Sequence, residues 1–291
     1  MIIVRLMGGL GNQMFQYAYA YKLSKKFNTK LIVDTSLLNH INKNEIDTFR
    51  NYELHIFNII FKNLFILNYL KYLIIIFNKV SIFKFYLLLN YVNLNLGYTP
   101  LKKNKKFNTI ILTGYFQSEK YFIDCKQDLH KIFNYKPNLL DNEYISNEIN
   151  CNNSVSIHVR RGDYVSNTKY NNIHGVCTLE YYKNAVDYIC NIINNPYFYI
   201  FTDDISWSQI FFSTYFSNIN FQIINTNNAN IDFYLMKSCK HNIIANSSFS
   251  WWAAWLNQNN NKIVLAPSKW FNNVYSSEID ILPNEWIIIN H

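Results

Sequence analysis

Two hydrophobic periodicities alternate along the second half of the chain. Short apolar runs with a period of two are typical of strands, and segments whose apolar residues recur every three to four positions are typical of helices. The predicted strands cover residues 155–159, 197–202, 221–224, 242–245 and 262–266. The predicted helices between them cover about residues 179–193, 207–216, 231–239 and 249–256. This order predicts a parallel sheet that is covered by helices on both faces.

The first half follows the same alternation less regularly. Its predicted strands cover residues 2–6, 30–34 and 110–113. A helix is predicted after the first strand, because apolar residues recur at helical spacing from Met14 to Tyr21. We therefore predict an α/β protein with two Rossmann-like domains facing a cleft. The first domain covers residues 1–150 and carries a helical insertion at about 54–108, and the second covers residues 151–291.

The predicted insertion contains the longest apolar run without charged residues, near residues 73–77. This run is far shorter than the roughly 20 residues that a membrane-spanning helix needs. Amphipathic helices that pack on the first domain are one interpretation of the segment. Peripheral contact with a membrane surface is the other.

The predicted strand at 155–159 ends in an unusual charged cluster, Arg160-Arg161-Gly162-Asp163. Guanidinium groups match the oxygens of a diphosphate in charge and in planar geometry. Gly162 would relax the backbone at this point, and Asp163 could hold one of the arginines. A surface Arg–Asp pair beside a turn is the alternative interpretation of the motif.

A second polar segment lies between the predicted strand at 242–245 and the helix that follows it. It contains Asn246, Ser247, Ser248 and Ser250. The amino terminus of a helix carries unpaired N–H groups and a partial positive charge, so hydroxyl groups added there make an anion site. Ordinary helix capping by the same side chains is the alternative.

A glycine-rich segment, Gly8-Gly9-Leu10-Gly11-Asn12-Gln13, follows the first predicted strand. A strand, a glycine loop and a helix in this order allow the backbone to approach a phosphate or a sugar closely. The segment is neither the dinucleotide-binding G-x-G-x-x-G motif nor a lysine-containing phosphate loop. A tight turn that starts a helix is the alternative.

The charge and the cysteine content limit the kinds of ligand and the cellular compartment that fit this chain. The net charge of +8 suits an anionic ligand such as a nucleotide diphosphate, or an acidic membrane face. No basic stripe interleaved with aromatic residues accompanies it, which argues against nucleic acid. The five cysteines are scattered without a C-x-x-C pair, which predicts neither a disulfide framework nor a zinc site. We expect a cytoplasmic location without a signal peptide, because the first predicted strand begins at residue 2.

Three of these segments together resemble a known family. They are similar to motifs of the α-1,2-fucosyltransferases of glycosyltransferase family eleven. The three segments are G-G-L-G-N-Q-M-F-Q-Y-A, H-V-R-R-G-D-Y and N-S-S-F-S-W-W, and residues 114–122 and 232–239 match the family as well. The matches keep the family order from residue 1 to about residue 256. The H-x-R-R-x-D element is shared with other fucosyltransferases, whereas the first and last motifs are typical of the α-1,2 group.

The resemblance implies a GT-B type fold, GDP-fucose as the donor, a galactose-containing glycan as the acceptor and inversion at the anomeric carbon. It also implies a bacterial enzyme of surface polysaccharide synthesis. No metal or other cofactor is expected, because Arg160 and Arg161 would stabilise the charge on the leaving GDP. We assign the phosphate contact chiefly to Arg160 and a buried structural pair to Arg161 and Asp163, although the two arginines could exchange these roles.

Further donor-site residues follow from the resemblance. Related fucosyltransferases place an aspartate of a Thr-Asp-Asp turn on guanine, and we carry this role to Asp204 beside Asp203. Capping of the next helix is the alternative for Asp204. His158 is another candidate for a nucleotide contact, with a satisfied core histidine as its alternative. The side chains expected to donate to the diphosphate are those of Ser247, Ser248 and Ser250, next to Asn246.

The acceptor side is less well defined by the sequence. A general base is expected for the acceptor hydroxyl, and Asp163 and Glu119 are its candidates. The residues expected to line the cleft from the first domain are Gly9, Gly11, Asn12 and Gln13.

Two other functions fit the same motifs. One is a fucosyltransferase of different linkage, or a transferase that uses another GDP-sugar. The other is a catalytically silent protein that binds nucleotide sugars, against which the intact arginine and Asn-Ser-Ser motifs argue. Peripheral contact with the inner face of the cytoplasmic membrane is compatible with both.

Overall fold

The computed structural model describes residues 1–38, 50–59, 98–99, 109–135, 137, 142–162, 165, 168–272 and 274–290. These residues divide into two compact units, Met1–Leu129 and His130–His291. Most of the predicted insertion, including the apolar run at 73–77, lies outside the described residues. None of the helices that the structure does describe is both long enough and apolar enough to cross a bilayer.

The first unit is built on a parallel sheet of three strands. The strands are β1 (Ile2–Arg5), β2 (Leu31–Asp34) and β3 (Ile110–Thr113). Their order in the sheet is β2-β1-β3. Helix α1 (Leu10–Lys26) packs against β1, and α2 (Lys126–Ile132) runs across the division between the units. Short 3-10 helices cover Leu54–Phe57, Glu119–Tyr121 and Ile123–Cys125.

The second unit is built on a larger parallel sheet. Its strands are β4 (Asn153–Val159), β5 (Pro196–Thr202), β6 (Asn220–Ile224), β7 (His241–Ile243), β8 (Val264–Pro267) and β11 (Ile287–Ile289). Their order is β11-β8-β7-β4-β5-β6, and every described pairing within the sheet is parallel. Strands β9 (Lys269–Phe271) and β10 (Val274–Tyr275) form a separate antiparallel pair.

Helices connect the strands of the second unit. They are α3 (Glu143–Cys151), α4 (Thr168–His174), α5 (Leu179–Ile192), α6 (Ile205–Tyr215), α7 (Ala229–Ser238) and α8 (Ser248–Leu256). A 3-10 helix covers Ser276–Glu278. Helix α8 is apolar on every side, and its tryptophans 251, 252 and 255 are all buried. A helix of this composition is stable only inside a protein, which explains its place in the core.

The predicted α/β class with parallel sheets is confirmed. Every predicted strand lies within two residues of an observed one at each end. The division of the chain between Leu129 and His130 precedes the predicted boundary near residue 150. The reason is that α3 packs against β4 and α7, so its residues belong with the second sheet.

Helix α1 begins with a cap that a distant residue supplies. Gly9 lies at the N-cap position and has no side chain to accept a hydrogen bond. The N–H of Leu10 donates instead to Oε2 of Glu53, at 3.1 Å. Burial raises the pKa of Glu53, although the nearby Arg50 acts in the opposite direction. The glycine loop therefore depends on a carboxylate that is 43 residues away in the sequence.

We expect Glu53→Ala and Glu53→Gln to differ in their effect on α1. The alanine variant loses the acceptor for Leu10, which should cost about 1 kcal/mol of local stability, as for a deleted N-cap. Hydrogen exchange of the α1 amides should then be about fivefold faster. The glutamine variant keeps an acceptor oxygen and removes a poorly solvated charge, so its exchange should be unchanged or slower. Glu148→Ala, on the exposed face of α3, is the control. Equal exchange in the alanine and glutamine variants would contradict the capping role.

Candidate functional site

The carboxyl ends of β4, β5 and β7 bring together the predicted site residues of the second unit. From β4 the chain proceeds to β5 and β6 on one side and later returns to β7 on the other side of β4. Neighbouring strands whose connections leave in opposite directions open a crevice at their carboxyl ends, and ligands bind there in open α/β sheets. Arg160 follows β4, and Ser247 lies between β7 and α8, so both are at this switch point.

Arg160 is placed by an ion pair with Asp203. Strands β4 and β5 are paired with Val159 opposite Thr202, so the next residue of each strand emerges beside the other. The Nη1 atom of Arg160 lies 2.6 Å from Oδ2 of Asp203, and the two side chains are 27% and 26% exposed. A pair of this exposure contributes at most about 1 kcal/mol to stability. Its main consequence is that the guanidinium group is held at the edge of the crevice.

Arg161 contacts two aspartates and an aromatic ring. Its Nε donates to Oδ2 of Asp204 at 3.2 Å, and its backbone N–H donates to Oδ1 of Asp203 at 2.8 Å. Its guanidinium carbon lies 3.9 Å from the ring centroid of Trp207, a cation–π contact. The predicted partner of Arg161, Asp163, lies outside the described residues, so that pairing stays a prediction. This arrangement supports a structural role for Arg161.

Asp204 has a second task, because it caps α6. Its Oδ1 accepts the backbone N–H of Trp207 at 3.1 Å. Both carboxylate oxygens of Asp204 are therefore used within the protein, one by Arg161 and one by the helix. This is the capping alternative weighed for Asp204. The guanine contact stays a prediction, because a carboxylate oxygen can accept a second hydrogen bond.

Gly162 allows the loop after β4 to pass close to Asp203. A Cβ atom at this position would lie 2.6 Å from Oδ2 of Asp203 and 3.1 Å from its Cγ. The same Oδ2 atom pairs with Arg160, so the carboxylate has little freedom to move away. A larger residue at this position would therefore have to displace the carboxylate that pairs with Arg160.

His158 joins the end of β4 to the first turn of α8. Its Nδ1 lies 2.9 Å from the hydroxyl oxygen of Ser250, and both side chains are buried. Burial lowers the pKa of His158 to about 4; Arg160 also lowers it, and Asp203 raises it. The imidazole is therefore neutral near pH 7. Its hydrogen bond to Ser250 places it among the positioning groups of the site, in line with the core histidine considered as its alternative.

The amino terminus of α8 is the second feature at the switch point. Ser247 is the N-cap, and its hydroxyl accepts the N–H of Phe249 at 3.3 Å. The hydroxyl of Ser250 is buried and contacts His158 and the carbonyl oxygen of Ser247. The hydroxyl of Ser248 is half-buried and makes no hydrogen bond within the described part of the chain. Of the three predicted hydroxyl donors, Ser248 is thus the one whose hydroxyl group makes no hydrogen bond to a residue that the structure describes.

Asn246 anchors neighbouring segments. Its side-chain amide donates to the carbonyl oxygens of His174, Gly175 and Trp270 at 2.9, 3.4 and 3.2 Å. Its oxygen lies 3.7 Å from the Sγ atom of Cys177. These contacts give the buried Asn246 a structural role, because three carbonyl groups share its two N–H donors. Its contact with the donor stays a prediction.

In the first unit, the predicted cleft residues are divided between buried and accessible positions. Gly11 and Gln13 are buried, and the amide of Gln13 donates to the carbonyl oxygens of Gly8 and Asn51 at 2.9 and 2.8 Å. Asn12 is half-buried and accepts a hydrogen bond from Gln117 at 2.8 Å. Gly9 is half-buried, and Glu119 starts a 3-10 helix. Gln13 therefore holds the loop together, whereas Asn12 and Gly9 remain accessible.

Sequence reasoning missed two residues that contact the glycine loop and Arg161. Glu53 and Trp207 were not singled out, because neither belongs to a motif and each acts through a contact that only the fold creates. Across the residues that the structure describes, no three His, Cys, Asp or Glu side chains come close enough together to hold a metal ion.

The sequence is similar to known glycosyltransferases. An alpha-1,2-colitosyltransferase from Escherichia coli is 34% identical over 307 residues, which cover 99% of this chain and 98% of that protein. The O-antigen biosynthesis glycosyltransferase WbnK from Escherichia coli is 35% identical over 305 residues, with 97% and 98% covered. Galactoside alpha-(1,2)-fucosyltransferase 1 from Bos taurus is 30% identical over 141 residues, with 47% and 39% covered.

The fold is also shared with a solved structure. A mutant of FUT1 from Arabidopsis thaliana in complex with GDP superposes with a TM-score of 0.52 at 11% identity, covering 90% of this chain and 69% of that one. At this identity the likeness concerns the fold alone, which is the predicted GT-B type. The family model described as Glycosyl transferase family 11 matches residues 1–290. The chain therefore belongs to glycosyl transferase family 11 and is a glycosyltransferase.

Proposed function

We propose that this protein transfers L-fucose from GDP-fucose to the 2-hydroxyl of a galactoside, with inversion, during synthesis of a surface polysaccharide. The observation that carries the proposal is the placement of Arg160 by Asp203 at the switch point that also holds the amino terminus of α8. The names of two relatives, an alpha-1,2-colitosyltransferase and a galactoside alpha-(1,2)-fucosyltransferase, support the α-1,2 linkage. The name of WbnK, an O-antigen biosynthesis glycosyltransferase, supports an O-antigen context.

The diphosphate of the donor would bind between two sources of positive charge. The guanidinium group of Arg160 offers N–H donors in a planar fork that matches phosphate oxygens. The first turn of α8 offers backbone N–H groups and the positive end of a helix dipole. The hydroxyl of Ser248 is available at the same turn. Anion binding by such a pair of groups does not depend on a metal ion.

Catalysis would follow from an interaction that strengthens during the reaction. As the bond between the fucosyl carbon and the phosphate oxygen breaks, negative charge accumulates on the β-phosphate of GDP. A preorganised guanidinium group then interacts more strongly with the transition state than with the bound donor, which lowers the barrier. His158, being neutral near pH 7, adds no charge and serves to hold α8 against β4.

The acceptor hydroxyl attacks the anomeric carbon from the face opposite to GDP and gives up its proton. The candidate general bases, Asp163 and Glu119, stay predictions. The predicted lining of an acceptor site also stays a prediction for all four residues, Gly9, Gly11, Asn12 and Gln13. We also expect that the protein needs no metal, acts in the cytoplasm and makes at most peripheral contact with the membrane.

The similarity to a colitosyltransferase favours a second candidate for the donor sugar. The chain is 34% identical, over 99% of its length, to an alpha-1,2-colitosyltransferase. Colitose is fucose without the 3-hydroxyl group, so the two donors differ at one position of the sugar ring. Colitosyl transfer from a GDP-activated donor is therefore the second candidate.

Substitution of Arg160 tests the role of the ion pair in catalysis. We expect Arg160→Ala to lower kcat/KM for GDP release from GDP-fucose by about 10³-fold, as for the loss of a transition-state donor. Arg160→Lys should recover part of the loss, because lysine keeps the charge without the fork. The assay contains lactose as the acceptor and EDTA.

The control for the loss of one positive charge is Lys131→Ala, at an exposed position of α2. Arg161→Ala should act chiefly on thermal stability, because Arg161 is held by Asp204 and Trp207. Full activity of Arg160→Ala, or activity of the wild type that EDTA abolishes, would contradict the proposed metal-free mechanism.

Gly162 and Asp203 should be coupled. We expect Gly162→Ala to weaken GDP binding about tenfold, because the new Cβ displaces the carboxylate that positions Arg160. In an Asp203→Ala background the same change should have little further effect, since the obstructing oxygen is absent. Binding is measured by calorimetry for the four proteins of this double-mutant cycle. Strictly additive effects would show that the two residues do not act through contact.

The choice of donor sugar distinguishes the two candidate functions. We expect a higher kcat/KM with GDP-fucose than with GDP-colitose under the same conditions, because the proposed site is adapted to the complete sugar. A preference for GDP-colitose would replace fucosyl transfer by the second candidate and leave the phosphate site unchanged. Binding of neither donor would reject both.

A further inference from the structure

Two adjacent tyrosines at the start of α5 lie in the core of the second unit. Tyr181 and Tyr182 belong to the first turn of the helix, and Thr178 is its N-cap. The two residues are 0% and 1% exposed, and their ring centroids are 5.1 Å apart. Because a buried tyrosine hydroxyl normally has a hydrogen-bond partner, the partners of this pair show which parts of the fold it holds.

Tyr182 holds the carboxyl end of β4. Its hydroxyl donates to the carbonyl oxygen of His158 at 3.1 Å. The pairing of β4 with β7 ends at Ile157, whereas the pairing of β4 with β5 continues to Val159. Tyr182 therefore supplies a donor to the part of β4 that extends past its pairing with β7. His158 lies two residues before Arg160, so this bond fixes the backbone from which the guanidinium group extends.

Tyr181 holds the carboxyl end of β7. Its hydroxyl donates to the carbonyl oxygen of Ile244 at 2.5 Å and lies 3.3 Å from the carbonyl oxygen of Leu265 in β8. Ile244 directly follows β7 and lies three residues before Ser247, the N-cap of α8. One turn of α5 therefore fixes both backbone segments that lead to the proposed diphosphate site.

Cys177 adds a link between the two segments. A side-chain hydrogen bond joins its thiol to Tyr182. The Sγ atom also lies 3.7 Å from Oδ1 of Asn246, in the turn before α8. Burial raises the pKa of this thiol to about 12, so it stays protonated and can donate to the amide oxygen. The carboxyl ends of β4 and β7 are thus connected through buried neutral groups, in addition to the bond between His158 and Ser250.

We propose that Tyr181 and Tyr182 are positioning residues, which hold Arg160 and the start of α8 at the separation that the transition state requires. The inference rests on the proposed function, because both groups are assigned to the diphosphate of the donor there. Donors stabilise the charge on a leaving group best when they are held in place before the reaction, since no energy is then spent on moving them. Neither tyrosine needs to contact the substrate for this role.

The test is steady-state kinetics of transfer from GDP-fucose to lactose by the full chain carrying Tyr182→Phe or Tyr181→Phe. Each substitution removes one hydroxyl group and keeps the aromatic ring in the core. We expect kcat to fall about tenfold in each variant with an unchanged KM for lactose, because a small displacement of a catalytic group mainly affects the transition state. In an Arg160→Ala background, Tyr182→Phe should lower kcat less than about twofold, since the group that it positions is absent.

The matched control is Tyr199→Phe. Tyr199 is also buried, and its hydroxyl accepts a hydrogen bond from Asn152 at 2.9 Å. Asn152 directly precedes β4, so this bond lies at the amino end of the strand, away from the proposed site. We expect Tyr199→Phe to lower Tm as the other two substitutions do and to leave kcat unchanged. Thermal unfolding of each variant also identifies the temperature range in which the assayed protein is folded.

Three results would overturn the inference. Unchanged kcat in both tyrosine variants, or a fall in kcat that Tyr199→Phe reproduces, would show a structural role alone and leave the proposed function intact. A full tenfold effect of Tyr182→Phe in the Arg160→Ala background would show that Tyr182 does not act through Arg160. Absence of GDP release by the wild type with both GDP-fucose and GDP-colitose would reject the proposed function, and the positioning role with it.

Discussion

The pairing of β4 with β5 fixes the charged groups at the carboxyl edge of the second sheet. Because Val159 lies opposite Thr202, the residues that follow the two strands, Arg160 and Asp203, lie side by side. The register therefore brings the two members of the ion pair together. A shift of the register by one residue would separate the two groups and move the side chains of the shifted strand to the opposite face of the sheet. The next loop then approaches Asp203 so closely that any side chain at position 162 would have to displace its carboxylate.

The charges at the carboxyl edge of the second sheet balance each other, which affects how this edge can bind an anion. Arg160 and Arg161 face Asp203 and Asp204, so the four side chains carry no net charge as a group. Attraction of an anion then depends on where the donors lie. Arg160 is held by Asp203, and the start of α8 adds a partial positive charge with no acidic residue in the first turn of that helix. The hydrogen bond between His158 and Ser250 keeps the strand and the helix together without adding a cation. The proposed binding of a diphosphate would therefore depend on the geometry of these donors more than on net charge.

More of the fold than of the candidate site could be predicted from the sequence. Strands of parallel sheets are buried on both faces, so their apolar runs are visible in the sequence, whereas β11 is short and was not predicted. Local motifs identified Arg160 and the turn that contains Ser247. Roles that depend on partners distant in sequence were not predictable, because the motif alone does not show that Asn246 bonds three carbonyl groups or that Glu53 caps α1.

The most direct test of the phosphate site is a crystal structure of the protein with bound GDP. The account predicts that the β-phosphate lies within hydrogen-bond distance of the guanidinium group of Arg160 and of the first-turn N–H groups of α8. It also predicts that Asp203 stays beside Arg160. A diphosphate bound elsewhere, with no contact to Arg160 or to α8, would contradict the account even if the protein transfers fucose.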